Sequence, residues 1–220
     1  TVKCFSKKSP LIQFVYKYFK GSKGKRSYLY GRRLVELGIN TPEPIAYFDE
    51  YYDEAAEEKR TFYISENLEY QLTCREIFGN GNFTHEAKEI IKKDKEKLIK
   101  LFTEFTFSLH EKGVEFHDYS PGNVLIKKTN DDSYEFYLID LNRMTFRKKL
   151  GFSRRMRNVS RMMEETQYIE KFSKYYSELY KKNYLRVFFR LYSFVKIHES
   201  NVAIKDNTRT FRYFFKRKKR

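Results

Sequence analysis

Phe116 to Arg143 reads FHDYSPGNVLIKKTNDDSYEFYLIDLNR. Two apolar runs, Val124-Leu125-Ile126 and Phe136-Tyr137-Leu138-Ile139, flank the polar segment Lys127 to Tyr134. Apolar, β-prone runs around a cluster of Asn, Asp and Ser predict a β-hairpin. Asp118 and Asn123 stand before the first strand, and Asp140 and Asn142 follow the second. A hairpin returns the end of one strand to the start of the other, so Asp118, Asn123 and Asp140 are expected at one mouth. Two carboxylates and an amide oxygen suit a hard cation such as Mg²⁺. They also suit phosphoryl transfer, in which one aspartate orients a hydroxyl and the other groups hold metal.

Composition narrows the partner. The chain has 220 residues, enough for one large domain or two small lobes, and a formal net charge of +16. That excess predicts an anionic partner, a nucleotide or an acidic lipid or glycan. It clusters at Lys7-Lys8, Lys20 to Arg33, Arg147 to Arg161 and Lys216 to Arg220. No apolar stretch approaches the roughly 18 to 20 residues that a membrane span needs. Cys4 and Cys74 are too few for a disulfide framework and read as buried thiols in a reducing compartment.

Thr1 to Phe5 reads as a strand that includes Lys3, and further N-terminal residues are expected before it. Leu11 to Phe19 reads as a short helix. The run Gly21 to Lys25 departs from the spacing of a phosphate-binding P-loop and reads as a basic loop. Lys23 to Leu37 reads as a helix stopped by Gly38. Ile45 to Tyr52 and Thr61 to Ser65 read as strands around an acidic loop, with Glu66 to Glu69 as a hinge. From Gln71 the pattern turns helical. Thr84 is the expected cap of a helix carrying Leu98, Leu101, Phe102, Phe105 and Leu109 and ending at Gly113. His110 reads as a helix-end residue near the C-terminal dipole. Glu164 to Lys182 and Tyr184 to His198 are helical by period.

The segment His117-Asp118-Tyr119-Ser120-Pro121-Gly122-Asn123 with Ile139-Asp140-Leu141-Asn142-Arg143 resembles the catalytic loop and metal-binding segment of protein-kinase-like enzymes. His117 stands where that family has Arg, and Leu141-Asn142 replaces Phe-Gly. Together with Glu36-Leu37-Gly38-Ile39 before Thr41-Pro42-Glu43-Pro44, these segments are similar to the lipopolysaccharide core (Kdo and heptose) kinases of Gram-negative bacteria. The resemblance covers roughly Thr1 to Leu150. It implies an α+β fold with two lobes, a small β-rich lobe over 1–68 and a mainly helical lobe over 69–220. It implies ATP-dependent phosphorylation of an inner-core sugar hydroxyl. Asp118 would take the hydroxyl proton, Asn123 and Asp140 would hold Mg²⁺, and Lys3 would steady the phosphates. The helix glutamate that pairs with such a lysine has Glu36 as its one candidate, because a residue such as Leu29 occupies the mid-helix place.

The implied acceptor is an anionic glycolipid at the cytoplasmic face of the inner membrane. The basic tail, with Phe211, Tyr213, Phe214 and Phe215, is the expected membrane contact. A small protein kinase, another small-molecule phosphotransferase or a catalytically weak scaffold stays open. No nucleic acid is expected, because neither RNA-binding motifs nor zinc-ligand spacing accompany the charge.

Overall fold

In this computed structural model, which describes residues 1–6, 21–53, 58–79, 83–130 and 133–217, the chain opens with β1 (Val2–Ser6). Helix α1 (Lys23–Glu36) follows, then β2 (Pro44–Asp53) and β3 (Glu58–Ser65). The three strands form an antiparallel sheet in the order β1-β3-β2 with Lys3 opposite Tyr63. Helix α1 begins where the Ser22 hydroxyl accepts the Lys25 N–H at 3.0 Å, so Lys23 to Lys25 is its first turn rather than a loop. It ends at Gly38, whose φ of 62° is open to glycine; Gly38 N–H and Ile39 N–H return to Val35 O and Leu34 O, both at 2.9 Å. The expected helix over Leu11 to Phe19 and the tip of the acidic loop lie outside the described residues.

The segment after Gln71 differs from its expected helical reading. A two-residue strand, β4 (Leu72–Thr73), comes first and joins the hairpin, and Thr73 then caps the short helix α2 (Cys74–Phe78). Thr84 caps α3 (His85–Glu111), accepting the Ala87 N–H at 3.1 Å. Strand β5 (Val114–Phe116) leads into a 3₁₀ turn over Pro121–Asn123 and then the hairpin, β6 (Val124–Asn130) and β7 (Ser133–Leu138). Its register pairs Val124 with Leu138. Strand β8 (Met144–Phe146) returns antiparallel to β5. Three helices close the chain: α4 (Phe152–Val159), α5 (Thr166–Tyr180) and α6 (Tyr184–Arg217). Helix α4 lay unrecognised in the basic stretch, and α6 runs well past His198.

The core lies between α3, α5, α6 and the hairpin. Phe102 is fully buried, with the rings of Phe78, Tyr119, Phe136 and Phe172 at 5.0 to 6.2 Å. Cys74 belongs to this core, whereas Cys4 is exposed on β1, so only one of the two thiols is the buried residue expected. Among the described residues no helix is long and apolar enough to cross a membrane.

Gly113 makes the turn between α3 and β5 with φ of 73°, and a Cβ there would stand 1.8 Å from Arg147 O. Gly113→Ala is therefore expected to cost about 2 kcal/mol or more in urea unfolding. Gly151→Ser, at an open helix cap with no atom within 4 Å of its Cβ position, is expected to stay within about 0.5 kcal/mol of the parent.

Candidate active site

The hairpin mouth is drawn together by backbone bonds. Ile139 N–H donates to Asn123 O at 3.1 Å, which sets the end of β7 beside the start of β6. The Asn123 side-chain amide donates to the carbonyl of Asp118 at 2.8 Å. That bond uses the amide nitrogen and leaves Oδ1 as the atom for a cation. Asp140 follows Ile139 with φ of 62°, a left-handed conformation that aspartate tolerates better than most residues. Asn142 holds it there by donating to Asp140 Oδ1 at 2.8 Å.

Two more elements fix the segment around Asp140. Asn40 O accepts the Leu138 N–H at 3.0 Å, and Thr41 Oγ1 donates to Leu138 O at 2.8 Å. The GINTPEP stretch is thus a strut from the end of α1 to the end of β7. From α1, buried Arg26 donates through Nε to Asn142 O at 3.1 Å. Gly31 lets Leu141 approach the helix, since a Cβ there would stand 3.2 Å from Leu141 Cδ1 and 2.6 Å from Pro44 Cγ.

Lys3 reaches across from β1 and forms an ion pair with Asp140 at 2.7 Å. The two side chains are 40% and 35% exposed, so the pair is worth no more than about 1 kcal/mol and yields readily to a competing ion. Glu36 is not the partner of Lys3. It lies exposed in the last turn of α1 and pairs with Arg33 at 2.8 Å. Leu29 does not face the site either, being 48% exposed. Helix α1 turns a different face inward than expected: its buried residues include Arg26, Ser27, Gly31 and Leu34, and none is acidic. The Ser27 hydroxyl donates to Lys23 O within the helix.

A cleft of about 260 Å³ opens beside this pair, walled by Lys3, Tyr63, Leu125, Asp140 and the segment Glu66 to Leu68. Burial pushes the Tyr63 phenol up to about 12, so it is a neutral wall at any physiological pH.

Asp118 sits at the other end of the mouth. Its carboxylate accepts from Arg143 Nη1 at 3.0 Å, and Arg161 Nη1 lies 3.7 Å away while donating to His117 O at 2.8 Å. His117 is exposed and bonds through Nε2 to Thr145 Oγ1 at 2.8 Å, with its N–H donated to Arg143 O. That ties the loop to β8.

Behind the loop is a buried polar network that sequence reading missed. Asn158 on α4 donates to Phe116 O at 2.7 Å. Its Oδ1 accepts from His110 Nε2 at 3.3 Å, which leaves His110 Nδ1 to accept from the Tyr176 hydroxyl at 2.9 Å. The Tyr119 hydroxyl shares a 2.7 Å bond with Thr106. His110 stands in the last turn of α3, as expected, and there it is a buried strut. Burial, reinforced by the nearby Arg155 guanidinium, lowers its pKa to about 3. The unfolded chain, with His near 6.5, binds a proton that the native state refuses. The stability held above about pH 6.5 is therefore lost as pH falls toward 3. His110→Gln is expected to remove about 2 kcal/mol of the difference in unfolding free energy between pH 7 and pH 5, read from urea titrations at the two values.

Donor chemistry at the mouth fits magnesium, which takes one or two protein carboxylates and leaves other positions for phosphate oxygens and water. Comparison with known proteins gives the arrangement its context. The family model described as the lipopolysaccharide kinase (Kdo/WaaP) family matches residues 26–189, more than half of the chain. A comparison with curated proteins finds no match. Among solved structures, WaaP in complex with acyl carrier protein is similar with a TM-score of 0.54 and 16% identity, covering 81% of this chain and 74% of that one. The Rio2 kinase–ADP/Mg²⁺–phosphoaspartate complex from Chaetomium thermophilum gives a TM-score of 0.45 and 14% identity, over 77% of this chain and 44% of that one. On the family match, with the WaaP likeness for the fold, the chain belongs to the lipopolysaccharide kinase (Kdo/WaaP) family and is a phosphotransferase of protein-kinase-like α+β fold.

Proposed function

We propose that the protein transfers the terminal phosphoryl group of ATP to a hydroxyl of Kdo in the lipopolysaccharide inner core. The observation that carries this reading is the pair of guanidiniums at Asp118. Asp118 neutralises one of the two guanidiniums, and a neutral sugar leaves the charge of the other unmatched. A sugar carboxylate offers them a planar, charge-assisted partner and brings an adjacent hydroxyl to the aspartate. Heptose, which has no carboxylate of its own, fits this end of the cleft less well.

The division of labour follows from position. Asp118 orients the acceptor hydroxyl and takes its proton as the oxygen attacks phosphorus. Asn123 Oδ1 and the Asp140 carboxylate would hold Mg²⁺, whose charge offsets that of the triphosphate. Lys3 exchanges Asp140 for phosphate oxygens when the nucleotide enters. The nucleotide lies between a small lobe, 1–68, and a larger one, 69–220, with adenine against the backbone of Glu66 to Glu69. Lipid-borne Kdo puts the reaction at the cytoplasmic face of the inner membrane.

Asp118→Asn keeps size and loses both charge and basicity. Turnover is expected to fall by about 10²- to 10⁴-fold with Mg·ATP affinity nearly intact. Asp140→Ala should instead weaken Mg·ATP binding in calorimetry, and Asn123→Ala should do so less. Arg143→Ala is expected to raise KM for a Kdo-terminated lipid A acceptor much more than KM for ATP. Equal turnover on heptose-terminated acceptor and on that substrate would exclude the carboxylate reading, and phosphate going to a protein substrate instead would exclude the sugar.

A further inference from the structure

A second cavity, of about 540 Å³, lies where α3 and α5 end, and it shares no wall residue with the nucleotide cleft. Its floor is Arg155, 2% exposed, whose Nε donates to Leu150 O at 2.7 Å and whose Nη1 meets Glu111 at 2.5 Å. Over Arg155 lies the Tyr180 ring at 4.6 Å. Phe152 stacks on Tyr180 at 6.0 Å and 14°, and Arg186 of α6 covers Phe152 at 5.5 Å. This ladder of cations and rings joins the cavity to the first turn of α6. Lys148, Lys149, Lys181 and Lys182 form the rim. Glu111 is the one acid in the wall, and Arg155 already neutralises it. Among the described residues none of the four lysines is ion-paired. Two helix C-termini favour cations nearby, but four exposed ammonium groups around one concavity concentrate an attraction for anions well beyond that need.

The surroundings are apolar and unpartnered. Leu179 lines the cavity and is exposed. On α6, Val187, Leu191 and Val195 face the core, whereas Leu185 and Phe189 are 54% and 60% exposed, with Ile197 and Ile204 also exposed. At about 100° per residue those four exposed positions fall within about 120° of the helix circumference, opposite the core face. Lys196, paired with Glu199, lies among them, and Arg190, bonded to Ser153, stands at their edge. A basic concavity beside an apolar, basic-edged helix face has the make-up of a membrane-interface surface.

We propose that the corner between α5 and α6 docks on an anionic membrane, its cavity taking a phosphate-bearing lipid headgroup while Leu185 and Phe189 enter the acyl boundary. This docking does not depend on which acceptor the active site uses, and its test needs no turnover. The probe is co-sedimentation of the whole chain with phosphatidylcholine vesicles with or without phosphatidylglycerol. The protein is expected to bind the anionic vesicles and to release at high salt. Lys149→Glu with Lys182→Glu should weaken binding by about tenfold or more. Lys93→Glu with Lys100→Glu, an equal charge change on the exposed side of α3, should weaken it by less than about threefold. Phe189→Ser should weaken binding while leaving its salt dependence in place. Equal losses in the two lysine pairs, or no binding by the parent protein, would overturn the proposal. Inorganic phosphate at matched ionic strength should displace the protein from vesicles only in part, because Leu185 and Phe189 still engage the acyl boundary; full displacement by it would assign the cavity to a free phosphate and sink the lipid source.

Discussion

Leu138 has both of its backbone groups taken by the connection between α1 and β2, and the active-site geometry hangs on that clamp. Asn40 O receives its N–H and Thr41 gives its hydroxyl to the carbonyl. Two residues later comes Asp140, in a left-handed conformation that a loose strand end would not keep. Arg26 and the gap at Gly31 then hold Asn142 and Leu141 to the same helix. The opposite side of the mouth is held independently. Asn158 grips Phe116 O, and the Tyr119 hydroxyl is anchored on Thr106 deep in the core. The two supports meet where Ile139 N–H reaches Asn123 O. Neither of these supports passes through the side chains proposed for chemistry; the Asn123 amide on Asp118 O and Asn142 on the Asp140 carboxylate add a second set of ties that do.

Local signals made part of this legible. The hairpin, the Gly38 stop of α1 and the helix from Thr84 are written in residues close to one another in sequence, where period and capping chemistry act. The segment from Gln71 misled because β4 is two residues long and takes its strand character from Ile126 and Leu125 across the sheet. Helix α4 was hidden by its arginines, one of which, Arg155, is buried only because Glu111, Leu150 O and the Tyr180 ring lie around it. Leu29 and Glu36 were placed wrongly because the face that a helix turns inward is decided by its neighbours. Gly31 is small where Pro44, Leu141 and Tyr63 come close. The network of His110, Asn158 and Tyr176 joins residues tens of positions apart, and no spacing within a single element announces it.

The inner face of α1 carries no carboxylate, and that absence reaches beyond binding. Where a phosphate-steadying lysine relies on an acid from a mobile helix, swinging the helix away disarms the enzyme, and regulators can act on that hinge. Here Lys3 rests on Asp140, whose segment is fastened to α1 by the Arg26 guanidinium on Asn142 O and to the α1–β2 connection through Leu138, and not by a helix carboxylate. A swing of α1 has no acid to withdraw. A control that works by withdrawing a helix carboxylate from that lysine has nothing to act on at the inner face of α1.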